Sequence, residues 1–145
     1  MLKLIKGWMA EPSEEVGLTP ELAAAALLFE VVWADHAIEA HEVDLMSTQL
    51  QQCFDIPEAQ LAELTQSAKT LHDDAVGLHE FTRTLNDHLG QEEKYAVILA
   101  MWRVAFADHQ LDPLEEHMIR RAADLLYVSH KDFIAAKRTA REAMS

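Results

Sequence analysis

With 145 residues the chain is long enough for one ordinary domain with a single buried core and too short for two independent ones. Half of it is apolar, and only 4 Gly and 4 Pro interrupt it, too few turn formers for a sandwich or barrel of many short strands, so the fold class is all-α. The formal net charge is −13, from 12 Lys and Arg against 25 Asp and Glu. A field of that sign repels phosphate backbones, which sets nucleic acid aside and suits cations, basic partners or plain solubility.

Residues 1–18 read as an N-terminal amphipathic segment. Leu2, Ile5 and Met9 fall on one helical face, with Leu4 and Trp8 beside them and Lys3 and Lys6 between. That stripe either packs as a short helix on the domain or, through residues 1–10, gives peripheral contact with a membrane. No apolar stretch before a cleavage site follows Lys3 and Lys6, so the segment does not read as a secretion signal.

Residues 19–145 form the helical domain. Thr19-Pro20-Glu21 combines an N-cap, a first-turn proline and an acid, and starts a helix that runs to about Ala34. Its uncharged run from Leu22 to Phe29 is too short to span a bilayer, which takes about 20 residues. A second helix is predicted over Ala40 to Cys53. A third opens at Asp55-Ile56-Pro57-Glu58 and continues to about Leu71, where His72-Asp73-Asp74 breaks it. Leu78, Phe81 and Leu85 mark a fourth over about Val76 to His88, with Gly90 as its stop.

Gln91 to Ala107 makes a fifth, and Asp112-Pro113 opens a sixth to about Tyr127. Ser129 caps a seventh, with Phe133 and Ile134 inward and Lys137, Arg138 and Arg141 complementing its C-terminal dipole. The lone Cys53 has no intramolecular disulfide partner, reads as a small buried apolar residue and makes a reducing cytoplasm the expected compartment.

Sliding the chain over itself by 73 positions reveals a repeat. Ala34-Asp35-His36-Ala37-Ile38-Glu39-Ala40-His41-Glu42 aligns with Ala107-Asp108-His109-Gln110-Leu111-Asp112-Pro113-Leu114-Glu115, while Phe29 falls on Trp102, Trp33 on Phe106 and Leu45 on Met118. The expected architecture is therefore a single domain of seven to eight helices, built from two pseudo-symmetric helix-loop-helix repeats over residues 19–71 and 91–143. Glu30 and Arg103 occupy equivalent positions inside apolar helices and are expected to pair across the pseudo-axis.

In both repeats an Asp follows directly on a helix C-terminus, where the macrodipole disfavours a carboxylate by about 0.3–1 kcal/mol. One compensation is a divalent cation held by Asp35, Glu39 and Glu42 in the first repeat and by Asp108, Asp112 and Glu115 in the second. These are hard oxygen donors suited to Ca²⁺, Mg²⁺ or Mn²⁺. Another account needs no metal: Asp112-Pro113-Leu114-Glu115 has the form of a capping box, Glu39 to Glu42 repeats its outline, and Asp35 and Asp108 would bond their own loop backbones.

These two stretches, Ala34-Asp35-His36 to Glu42 and Ala107-Asp108-His109 to Glu115, resemble the TerB-like family of tellurite-resistance-associated proteins, whose signature is an Ala-Asp-Gly turn, an apolar residue, an acid and a Glu three further on. The resemblance covers roughly residues 19–143 and takes in Phe54-Asp55-Ile56-Pro57 and Tyr127-Val128-Ser129. It implies an all-helical cytoplasmic domain with metal-binding acids, working in a stress response with protein partners linked to the membrane, at its inner face. His36 and His109 depart from the pattern by replacing the turn Gly. Either the turn persists with modest strain, or the imidazoles join the site and shift its preference toward Zn²⁺ or Ni²⁺.

No catalytic apparatus is legible. No acid stands three before any His, His41-Glu42 and His79-Glu80 lack a second His at HExxH spacing, and glycines at 7, 17, 77 and 90 form no phosphate-cradling loop. The expectation is a non-enzymatic, metal-responsive interaction module, against the alternative of a structural adaptor docking on proteins or membrane whose acids only cap helices.

Overall fold

The computed structural model describes residues 18–34, 40–106 and 111–143, with residues 40–42 described by their backbone alone. The expected N-terminal stripe lies outside the described residues. Among the described residues seven helices follow one another: α1 (Pro20–Trp33), α2 (Ala40–Cys53), α3 (Glu58–Asp73), α4 (Leu78–His88), α5 (Gln91–Ala105), α6 (Pro113–Leu125) and α7 (His130–Ala143). No strand occurs among the described residues, so the fold is all-α as the composition required.

Helix starts follow side-chain chemistry. The Thr19 hydroxyl accepts from the Leu22 amide at 3.1 Å, Asp112 Oδ1 accepts from the Leu114 amide at 2.7 Å, and Ser129 Oγ accepts from the Asp132 amide at 3.2 Å. Each cap satisfies an amide that the first helical turn leaves without a backbone partner. Gly90 departs from its expected role as the stop of α4. It adopts φ −86° and ψ 179°, caps the start of α5, and its own amide donates to Glu93 Oε1 at 2.8 Å.

Among the described residues two helix ends use the left-handed region without glycine. After α3, Ala75 adopts φ 62°, its amide donates to the His72 carbonyl, and the Val76 amide donates to the Leu71 carbonyl, both at 3.0 Å. After α6, Tyr127 adopts φ 61°, donating to the Asp124 carbonyl at 3.1 Å while the Val128 amide reaches the Ala123 carbonyl at 2.9 Å. Both are Schellman closures, which end a helix by bonding its last carbonyls. At residue 75 the closure carries α3 two residues past the expected break.

The core is organised on α1 and α5. Residues Leu22 to Phe29, Val31 and Val32 are all buried, and α1 packs on α2, α3, α4, α5 and α6. A helix buried nearly all round has no polar face to offer water, which is why the Leu22–Phe29 run carries no charge. α5 buries Val97, Ile98, Met101, Trp102 and Val104 and packs on α1, α2, α6 and α7. Of the outer helices, α3 lies most extensively against α1 and α7 against α5.

Candidate functional site

The two acidic turns follow α1 and α5. Asp35, Glu39 and Asp108, with His36 and His109, lie outside the described residues, and Glu42 is placed on α2 by its backbone alone. Asp112 and Glu115 are described. Asp112 stands at the N-cap of α6 with φ −82° and ψ 136°, and Glu115 Oε1 accepts from the Asp112 amide at 3.2 Å. The two residues thus form the reciprocal capping box that the sequence allowed. Glu115 is buried, at 4 % exposure. Among the described residues no group of three or more His, Cys, Asp or Glu is gathered to hold a metal ion.

The last two turns before each acidic turn carry a pair of stacked aromatic rings four residues apart. At the end of α1, Phe29 and Trp33 lie with centroids 6.5 Å apart and planes at 8°. At the end of α5, Trp102 and Phe106 lie 5.8 Å apart at 18°. Residues i and i+4 share a helix face, so the repeat at residue level becomes a repeat of ring pairs.

Different groups cover these rings. His72, in the last turn of α3, sits 5.4 Å from the Phe29 ring and 5.1 Å from the Trp33 ring, and its Nδ1 lies 2.8 Å from Glu30 Oε2. A histidine in the last turn of a helix faces unsatisfied carbonyls, and an adjacent carboxylate fixes its ring orientation. Nothing in the sequence pointed to this pair, whose members stand 42 residues apart.

The rings of α5 are covered by cations. Lys137 Nζ lies 5.3 Å above Trp102 and Arg141 lies 5.9 Å above Phe106. Phe133, 5.2 Å from Trp102, is itself covered by Arg120 at 4.8 Å. Glu116 Oε2 accepts from Lys137 at 3.2 Å and lies 3.7 Å from Arg120. An ammonium or guanidinium over an aromatic face is attracted by the ring quadrupole, so these long side chains are held and not merely solvated.

The expected Glu30–Arg103 pair does not form. Glu30 turns to His72 on α3, whereas Arg103 Nη1 donates to Gln52 Oε1 on α2 at 3.3 Å. The physical reason is the packing: α1 rests on α3 while α5 rests on α2 as well as α7, so equivalent positions meet different neighbours. Arg103 also acts on Cys53, whose thiol burial pushes up to about 11 against the opposing pull of the guanidinium. The thiol donates to the Ala96 carbonyl at 3.6 Å, in keeping with an inert packing residue.

A family model described as tellurite resistance protein TerB matches residues 21–138. No curated protein and no solved structure is similar enough to count as a match.

Proposed function

The chain belongs to the tellurite resistance protein TerB family, and from that premise we propose that it is a non-enzymatic module of a cytoplasmic stress response, whose acidic turns hold a divalent cation and whose helices present a face to protein partners. The observation that carries this reading is the doubled Asp-x-x-x-acid-x-x-Glu pattern, set directly behind α1 and α5. A carboxylate there meets the negative end of the helix dipole, and a cation relieves both charges at once.

The two turns differ in electrostatic setting. Residues 19–71 hold nine acids and one base, Lys69, whereas residues 91–143 hold nine acids and eight bases. The last turn of α1 contains no base, while that of α5 contains Arg103. In this reading the first turn, with Asp35, Glu39 and Glu42, is the stronger cation site, and Asp108, Asp112 and Glu115 form the weaker one. A purely structural role has its own support in the second turn, where Asp112 Oδ1 and Glu115 Oε1 already accept backbone amides.

Isothermal titration with Ca²⁺, Mg²⁺, Mn²⁺ and Zn²⁺ tests the proposal. Saturable heat with the wild-type chain, lost in an Asp35→Asn/Asp108→Asn double variant of unchanged helicity, is expected. Identical traces for the two proteins would leave only the capping role. No helix among the described residues is long and apolar enough to cross a membrane, and an approach to a membrane face is assigned to residues 1–10. Liposome co-sedimentation before and after their deletion checks that assignment.

A further inference from the structure

We propose that the outer face of α7, continued by Arg120 of α6, is a docking surface for an acidic segment of a partner protein. Six of the chain's 12 Lys and Arg fall between residues 120 and 141, in a protein of net charge −13. At 3.6 residues per turn, Lys131, Lys137, Arg138 and Arg141 occupy about a third of the circumference of α7, with His130 and Ile134 among them. Glu142 stands at the edge of that arc and Asp132 on the far side.

The arc is more than dipole compensation. Cations in the last turns of α7 complement its C-terminus, but Lys131 lies in the first turn, where a positive charge is unfavourable. Lys131, Arg138 and Arg141 are exposed, while Lys137, Arg141 and Arg120 are held over Trp102, Phe106 and Phe133. Glu116 contacts Lys137 and Arg120 and offsets one charge of the group. Cations already held in place lose less rotamer freedom when an anion arrives, and guanidinium forks match carboxylates in bidentate geometry.

Charge and apolar exposure together select the partner. A membrane-surface helix buries an apolar face among lipid, but the apolar face of α7, with Phe133, Ala136 and Ala140, is already in the core, and the exposed large apolar residues among those described, Leu114 and Tyr127, lie off α7. A nucleic acid duplex brings a charge about every 1.7 Å and meets the field of the whole acidic molecule. A short acidic peptide places a few carboxylates on the stripe, and at a screening length of about 8 Å it responds to the local positive charge. The surface requires no bound metal and stands apart from the acidic-turn reading.

Fluorescence anisotropy with a labelled oligoglutamate peptide tests this on the full chain. The variant is Lys131→Glu/Arg138→Glu, which touches none of the three ring contacts; the control is Lys69→Glu/Arg83→Glu, with the same change in net charge elsewhere. The expected result is binding at about 0.15 M salt, where the screening length is about 8 Å, weakened about tenfold or more by the α7 variant and less than about threefold by the control. Absence of binding, equal weakening by both variants, or tighter and equally α7-dependent binding to phosphatidylglycerol vesicles or duplex DNA would overturn the proposal.

Discussion

The helices that lead into the two acidic turns, α1 and α5, end in the same stacked ring pair, and what lies on those rings differs in kind. On Phe29 and Trp33 rests His72, tied to the carboxylate of Glu30. On Trp102 and Phe106 rest Lys137 and Arg141. The first repeat keeps its nine acids almost unopposed, with one base, while the second sets eight bases against nine. The ring pairs of the apolar interior are alike in the two halves, where substitution costs packing, and the charged shell over them differs, where it costs little.

The largest expected difference between the halves is in packing. Trp102 is fully buried, whereas Trp33 is partly exposed. Trp102→Ala should cost about 3–5 kcal/mol and Trp33→Ala roughly half as much, read by urea denaturation; equal losses would break the comparison. Next is Cys53, which stands where the repeat places the fully buried Leu126. A thiol raised from 9.0 to about 11 holds about a hundredfold less thiolate near pH 8. Alkylation by iodoacetamide should therefore be about that much slower than in the urea-unfolded chain, and comparable rates would place Cys53 outside the core.

Smaller effects sharpen the contrast at the ring covers. His72→Ala removes a half-buried hydrogen bond and two ring contacts, and should destabilise by about 1–2 kcal/mol. Lys69→Ala, which breaks the exposed 2.9 Å pair with Asp73 one turn earlier, should be close to neutral. Similar losses would mean that the Glu30–His72 contact holds nothing. The remaining expected change is a gain. Ala75→Gly relieves a left-handed conformation at φ 62° at an exposed alanine and should stabilise by about 0.5–1 kcal/mol in thermal unfolding.

Much of the fold was legible because helix starts are local chemistry. Thr19-Pro20, Asp112-Pro113 and Ser129 each mark a start that the structure keeps. Helix ends were less legible: α3 and α6 close on Ala75 and Tyr127, residue types that carry no stop signal, while Gly90, which does carry one, opens α5 instead. Of the candidate site, the Asp112–Glu115 box was readable from its spacing. The His72–Glu30 contact and the covers over the α5 rings were not, because they join residues of different helices whose relative placement is a product of the whole core. The repeat likewise identified Glu30 and Arg103 as equivalent without revealing that α3 faces one and α2 the other.

The inequality of the two turns is tested most directly by titrating Mn²⁺ into Asp35→Asn and Asp108→Asn separately, under identical low-salt conditions. The account predicts that Asp35→Asn removes most of the wild-type binding heat while Asp108→Asn leaves most of it. Equal losses, or a greater loss in Asp108→Asn, would contradict it.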